Sequence, residues 1–510
     1  MLCPKCGNDN PDEVQICESC SCDIPSLDIE QPKTKVKASL MVICSALLAG
    51  LAGVLTLFIK PTLAFCVALL SCGSAIAAII EIMRSRKKLK GKIVAVIVLI
   101  FGFTQILLLS YWRIDASSIP DDYTVGDMRS ASAKYNQTYE LLKTLDNGDE
   151  YRAGAPSIGL SLEDVKKSEK INDIFKEGNL KSIAEQLRHY EHDILLIWQN
   201  AEKGREIFVK LDSFPEIADL KEVNFDIERP WLIGLRRLIF LYRDYICLQS
   251  CQGNHETAIE EFMRLDSIAR KLSLNARSII MKLVCYAWLS VDVQVANFII
   301  NNSLTPHDTL LILKQHVKTF SKKHMSLRNA MIYDYLSFKN ELINIANTPR
   351  LKYSAFSPLK LNSTLRLLRN FFDKFIAIDE DRDRAELYPV WPSIYPNLPV
   401  SIVSGSNLPL YYRLYNPVGY ESIKIITPAI EKVNILRKNL EVRLDLLRII
   451  LDMRLGEEVS LKARAYSDEY IIDVENRKIF SPGPDGETDT KDDIMLPINP
   501  EVLHVNSSGK

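Results

Sequence analysis

Between residues 38 and 112 the chain carries three apolar stretches, Ala38 to Ile59, Thr62 to Met83 and Ile93 to Trp112. Each is close to the roughly 20 residues that an α-helix needs to cross the hydrocarbon of a bilayer. Backbone groups in lipid find no water to bond, so such stretches are confined to helices. Only Lys60-Pro61 separates the first two, which predicts a tight helical hairpin. Ala46, Ala49, Gly50 and Gly53 on the first stretch, and Ser71, Gly73, Ala75 and Ala77 on the second, are small enough to let the helices approach closely. Glu81 sits one turn before Arg84 and reads as an interfacial carboxylate paired with it, not as an intramembrane functional group.

Flanking charge gives these spans a direction. Lys33, Lys35 and Lys37 precede the first, and Arg84, Arg86, Lys87, Lys88, Lys90 and Lys92 fill the connection between the second and third. Basic connections stay in the cytoplasm. The expectation is therefore a multi-pass plasma (inner) membrane protein with a cytoplasmic N-terminus. Residues 113–510 then lie outside, and Tyr111 and Trp112 anchor the outer interface. The basic connection also suits anionic lipid headgroups.

Cysteine usage is uneven. Five of eleven fall within the first 22 residues, Cys44, Cys66 and Cys72 lie in the apolar region, and Cys247, Cys251 and Cys285 come later. That is not the pattern of a disulfide scaffold. Cys3-Pro-Lys-Cys6 and Cys17-Glu-Ser-Cys20 are two Cys-x-x-Cys knuckles separated by ten residues, which suits a tetrahedral zinc site held by Cys3, Cys6, Cys17 and Cys20. So short a segment cannot bury a useful core, and metal would drive its folding. Four thiolates leave no open coordination position, so the zinc is expected to be structural. Cys22 departs from the pattern, as an alternative to Cys20 or a spare thiol; the two-residue gap favours Cys20.

The remainder divides into a linker and first helix (113–160), a helical-repeat-like body (161–377), a segment rich in proline and aromatics (378–419), a long helix (420–455) and a β tail (456–510), preceded by the ribbon (1–26), a basic linker (27–37) and the spans (38–112). Helical periodicity predicts helices over 126–145, 161–177, 179–203, 229–252, 255–272, 274–301, 307–323, 325–347, 361–377 and 420–455. Short connections such as Gly253-Asn254 imply antiparallel pairs stacked in the manner of tetratricopeptide repeats. The fold class expected is mainly α. The segment 378–419 interleaves six prolines with Tyr388, Trp391, Tyr395, Tyr411, Tyr412 and Tyr415, and reads as a strap packed on the helical body or as an aromatic groove. Past Gly456 the pattern predicts short strands over 461–465, 470–474 and 478–480. Beyond them lies an acidic loop in which Asp485, Glu487, Asp489, Asp492 and Asp493 crowd together. Such hard oxygen ligands suit Ca²⁺, and the alternative is a solvated acidic turn.

Two resemblances rest on these residues. Ser481-Pro-Gly-Pro-Asp485-Gly486 with Asp492-Asp493-Ile494 resembles the C-terminal calcium loop of major pseudopilins from type II secretion, which implies calcium ligation by the four aspartates. It covers about 40 of 510 residues, with no prepilin cleavage site or single N-terminal pilin helix, so filament assembly is not implied. The whole chain, including Arg413-Leu-Tyr-Asn416-Pro417-Val418-Gly419 before the long helix, resembles uncharacterised bacterial membrane proteins that join a zinc ribbon, a few spans and a helical outer domain. That implies a bacterial cell envelope setting and no activity.

Lys and Arg number 63 against 64 Asp and Glu, so nothing points to a nucleic-acid partner. Phosphate-binding, dinucleotide, serine-elbow and zinc-protease signatures are absent from the sequence. His189, His192 and Glu185 share a helix face, and an exposed polar face explains them. The expectation is a membrane-anchored scaffold for a protein partner in the envelope. The alternatives are a membrane-bound envelope enzyme of the hydrolase class, or a transmembrane sensor signalling through the ribbon.

Overall fold

The structure is a computed structural model, which describes residues 3, 5–9, 16–23, 40–57, 61–84, 91–113, 115, 123–124, 134–146, 156–175, 179–219, 231–348, 359–380, 416–463 and 466–503. It is mainly helical with one small sheet, and divides into two compact units, Met1–Ile114 and Asp115–Lys510.

In the first unit, α1 (Leu40–Leu57), α2 (Pro61–Arg84) and α3 (Lys92–Arg113) pack pairwise into a three-helix bundle. Its seams are made of alanine: Ala49, Ala52, Ala64, Ala68, Ala75, Ala78 and Ala95 are buried. The Ser71 hydroxyl donates to the Ser45 carbonyl across the helices at 3.0 Å, and Gln105 Nε2 donates to the Ala49 carbonyl at 3.4 Å. Gly50 and Gly73, expected at the seam, face open space. The close approach is made instead by Gly102, where a Cβ would stand 2.7 Å from the Cys72 sulfur. Large apolar side chains cover the outside of the bundle, among them Leu47, Leu70, Ile93, Phe103 and Leu108. Glu81 is exposed.

The second unit begins with α4 (Lys134–Lys143), α5 (Leu162–Ile174), α6 (Leu180–His189), α7 (Glu191–Asn200) and α8 (Glu202–Ser213). Its centre is formed by α9 (Trp231–Cys251), α10 (His255–Asn275) and α11 (Ile279–Asn301), joined by connections of three residues and packed on one another. Then follow α12 (His307–Lys318), α13 (Arg328–Ala346), α14 (Leu361–Glu380) and α15 (Pro417–Leu455), the last lying along α11. Trp231, Trp288, Tyr242, Tyr286, Tyr333, Tyr335, Phe208 and Phe372 are essentially inaccessible and fill this core.

The single helix expected over 179–203 is three helices running on to Ser213. Tyr190 and Ala201 break it without glycine or proline, in backbone conformations near the bridge region and without side-chain caps. The helix expected over 307–323 stops at Lys318 and is followed by a 3₁₀ turn, Lys322–Met325. Of the first helix expected, residues 134–143 are seen and most of the rest falls outside the described residues, as does nearly all of the proline and aromatic segment 378–419.

The long helix starts at Pro417, three residues earlier than expected, because Asn416 caps it. Asn416 is fully buried; its Oδ1 accepts from the Gly419 and Lys360 amides at 3.2 and 2.9 Å, and its Nδ2 donates to the Thr364 hydroxyl at 2.7 Å. Gly419 is required there, since a Cβ would fall 2.1 Å from that hydroxyl. The sheet is β1 (Ile471–Asp473), β2 (Lys478–Ser481) and β3 (Ile494–Pro497), antiparallel in that order. Two expected strands appear; of 461–465 the described residues contribute only an isolated bridge, Lys462 to Glu469, and β3 follows the acidic loop, where the pattern predicts no strand. Asn297 on α11 donates to the Pro497 carbonyl at 2.9 Å, and the Asn499 amide donates to Asn301 Oδ1 at 2.7 Å, which fastens the tail to the helical core.

Candidate metal centre

The two cysteine knuckles repeat one backbone design. The Cys3 N–H donates to the Asn8 carbonyl at 2.8 Å and the Gly7 N–H to the Cys3 carbonyl at 2.9 Å; in the second knuckle the Cys17 N–H donates to the Cys22 carbonyl at 2.9 Å and the Ser21 N–H to the Cys17 carbonyl at 2.8 Å. Gly7 and Ser21 take matching left-handed conformations, φ 73° and 52°. Cys6 therefore corresponds to Cys20, and Asn8 to Cys22. This match singles out Cys20, not Cys22, as the fourth donor.

The sulfurs of Cys3, Cys6, Cys17 and Cys20 all lie within 4.8 Å of one another, and no other such group occurs among the described residues. Cys3 and Cys20 are 3.6 Å apart, as are Cys6 and Cys17, against an edge of about 3.8 Å for thiolates placed tetrahedrally at a zinc–sulfur distance of about 2.3 Å. Cys3 and Cys17 are buried, Cys20 is half-buried and Cys6 exposed. The Lys5 and Cys6 amides aimed at the Cys3 sulfur hold its pKa down to about 6, while the neighbouring thiols push Cys6 up to about 12 and Cys20 up to about 11. The donor set could hold a metal ion and is consistent with zinc.

Cys22 was left open as an alternative or a spare. Its sulfur lies 3.3 Å from Cys3 and 3.2 Å from Cys20, beside the four donors and outside their mutual set.

The acidic loop arranges its aspartates as two pairs. Asp492 Oδ2 accepts from the Asp485 amide at 3.2 Å, and Asp493 Oδ2 from the Asp489 amide at 2.9 Å. Gly483 allows the close turn, because a Cβ would stand 2.3 Å from the Asp492 carbonyl. The Thr490 hydroxyl donates to Asp492 at 2.6 Å and is the main group holding that carboxyl below its usual range. Asp489 reaches Lys478 at 3.2 Å. Much of the carboxylates' hydrogen-bonding capacity is thus met by the loop itself.

A buried polar cluster between α10, α11 and α12 gave no signal in the sequence. Asp266 bridges to Arg270 at 2.5 Å and meets His316 Nε2 at 2.5 Å; Arg270 also donates to the Thr319 hydroxyl at 2.8 Å. Asp292, 2% exposed, has no hydrogen-bond partner for either oxygen among the described residues. The Trp288 indole sits close to it without hydrogen-bonding geometry. Burial, and then the charge of Asp266, raise the Asp292 pKa well above the carboxylate range, with Arg270 opposing. His189 and His192 belong to different helices, α6 and α7. Cys247, Cys251 and Cys285 are buried free thiols in the core.

No protein-family model, curated protein or solved structure matches the chain.

Proposed function

We propose that this is a membrane-anchored scaffold of the bacterial cell envelope, in which α1–α3 tether a helical-repeat-like domain that binds a protein partner. The observation that carries the reading is the outward display of large apolar side chains all along α1–α3. Leu70, Ile93 and Leu108 are 62%, 77% and 61% exposed, which lipid accommodates and water does not. The antiparallel run α9–α10–α11 supports the repeat-like reading. Leu304 ahead of α12, and Leu311 and Ile312 within it, are exposed on the second unit and offer apolar contact to a partner. Flanking charge supports a cytoplasmic ribbon and an outer Asp115–Lys510 unit. The ribbon takes structural zinc on Cys3, Cys6, Cys17 and Cys20, with no reaction at the metal. The tail loop takes Ca²⁺ at Asp485, Asp489, Asp492 and Asp493; its resemblance to the pseudopilin calcium loop supports it, and calcium-dependent protection from proteolysis measures it.

Thiol labelling of single cysteines introduced at Glu206 and Glu469, in intact cells with a membrane-impermeant reagent, tests the orientation. Labelling of both, with the ribbon thiols protected, supports the outer placement. Protection of both sinks it and moves the search for a partner to the cytoplasm. Cys17→Ser is expected to lower bound zinc from one per chain to below ~0.1, read by elemental analysis.

A further inference from the structure

We propose that Cys22 is a peroxide-reactive thiol that releases the metal from the ribbon by forming a disulfide with Cys3. The inference rests on the zinc reading above and extends it to a modification site. The backbone match between the knuckles places Cys22 opposite Asn8, in a position where the first knuckle has no sulfur. A tetrahedral centre closed by four thiolates has no room for a fifth. Cys22 is therefore a thiol held beside the metal and not spent on it. Its sulfur is 3.3 Å from Cys3 and needs little movement to reach bonding distance. Cys6 is the more exposed sulfur but is one of the four donors; Cys22, half-buried, is the accessible thiol of the cluster that lies outside the donor set. Cys20 is equally near, but a bridge across the single residue Ser21 closes a small ring within a tight turn; Cys3 lies on the opposite knuckle and carries no such constraint.

The chemistry closes with a hydroperoxide as oxidant. Cys22 sulfur attacks the peroxide; an S–O bond forms, the O–O bond breaks, and the departing oxygen takes the thiol proton to leave as water or alcohol. Cys3 thiolate then attacks the resulting sulfenic sulfur; the S–S bond forms and hydroxide departs. Two electrons pass from the two sulfurs to the peroxide. With Cys3 in the disulfide, only Cys6, Cys17 and Cys20 would remain to hold a metal, and it would be held more weakly.

The test uses the full chain in detergent, loaded with zinc and treated with hydrogen peroxide. Zinc release is followed with a chromogenic chelator, and disulfides are mapped by peptide mass. The expected result is zinc release in step with a Cys3–Cys22 linkage. Cys22→Ser should keep one zinc per chain at rest and release it at least ~10-fold more slowly under peroxide. Release from Cys22→Ser at the unaltered rate, or a linkage that leaves Cys22 free, overturns the proposal. Cys20→Ser separates the two readings. If it loses zinc at rest while Cys22→Ser keeps it, the four-thiolate centre stands whatever the peroxide result. If the unaltered chain binds no zinc, both readings fall together.

Discussion

Two kinds of apolar helix occur in this chain, and length and hydropathy alone do not separate them. Among the described residues three helices are long and apolar enough to cross a membrane: Ala64–Arg84 within α2, Lys92–Ser110 within α3, and Ile279–Asn301, which is α11. The first two bury 33% and 22% of their apolar window inside the protein; α11 buries 67%. The polar residues sharpen the contrast. Along α11, Lys282, Asp292, Asn297 and Asn301 are all buried, and Lys282 reaches the Ser273 and His324 carbonyls while the asparagines bind the β tail. In α2 the charged groups, Glu81 and Arg84, are confined to its end, and α3 has charge only at Lys92 and Arg113. A membrane helix turns its apolar surface outward and keeps its few polar groups at seams; a core helix encloses both. α1 runs Leu40–Leu57; the stretch of it whose side chains are described, Met41–Ala52, is shorter than a span by itself and joins the first class through its packing on α2 and its exposed Leu47.

The sharpest way to break this distinction is to remove one large side chain from each class. Trp288→Ala in α11 should cost about 3–5 kcal/mol in unfolding free energy, because a fully buried indole leaves a cavity that close-packed neighbours fill poorly. Urea unfolding followed by tryptophan-independent circular dichroism would measure it, and the membrane-bound fraction should not change. Were α11 a span, the same change would alter the membrane fraction and leave the unfolding midpoint of the second unit alone.

The reciprocal change is a charge on the outward face of α3. Phe103 is 58% exposed, so in water Phe103→Arg would be close to neutral. In a bilayer it should cost about 2.5–3.5 kcal/mol of insertion free energy at the helix centre. The expected outcome is a fall in the carbonate-resistant membrane fraction. An unchanged fraction and full stability would place α3 outside the hydrocarbon.

What the sequence made legible follows the same physics. The four metal-centre cysteines were readable because knuckle spacing is a local property, and a Cys-x-x-Cys turn constrains its own geometry. The apolar helices α1–α3 were readable because a run of some ~20 apolar residues is likewise a local property of the sequence. Tyr190 and Ala201 were not readable as helix breaks, since neither is a residue that normally breaks or caps one. Small residues along α1 and α2 fixed that the helices approach, but not which face meets; Ala52 and Ala68 lie at the seam, while Gly50 and Gly73 do not. The Asp266–Asp292 cluster joins residues from separate helices, and no periodicity of one helix announces that its aspartate will lack a partner.

That unpartnered carboxylate allows a finer cut within α11. The folded pKa of Asp292 is raised, so the folded state holds its proton in a range where the unfolded chain, with a value near about 3.9, has released it. More protons are then bound folded than unfolded, and stability falls as pH rises above about 4 until the folded value is passed. Asp292→Asn removes that dependence. It should be nearly neutral at pH 4 and more stable than the parent at pH 8, where the parent's folded state must hold a proton that its unfolded chain has released. Urea midpoints at the two pH values measure it. A variant less stable at both would mean the ionised carboxylate has a partner after all, with Arg270 the nearest candidate.

The smallest effect is expected where the second unit relies on a single polar side chain instead of an apolar face. Asn416 ties the first turn of α15 to the start of α14 through the Gly419 and Lys360 amides and the Thr364 hydroxyl. Asn416→Ala should lower stability by about 0.5–2 kcal/mol, the usual range for losing a helix cap, near the upper end because the stranded groups are buried. Asn416→Asp keeps the two accepted hydrogen bonds and loses only the one donated to Thr364, so it should recover part of the loss. Hydrogen exchange at the Lys360 and Gly419 amides reads the effect directly: faster exchange in the alanine variant, near-parent exchange in the aspartate. If both amides exchange at the parent rate in Asn416→Ala, the junction is held by apolar packing alone, and the polar hub is a consequence of the fold instead of one of its supports.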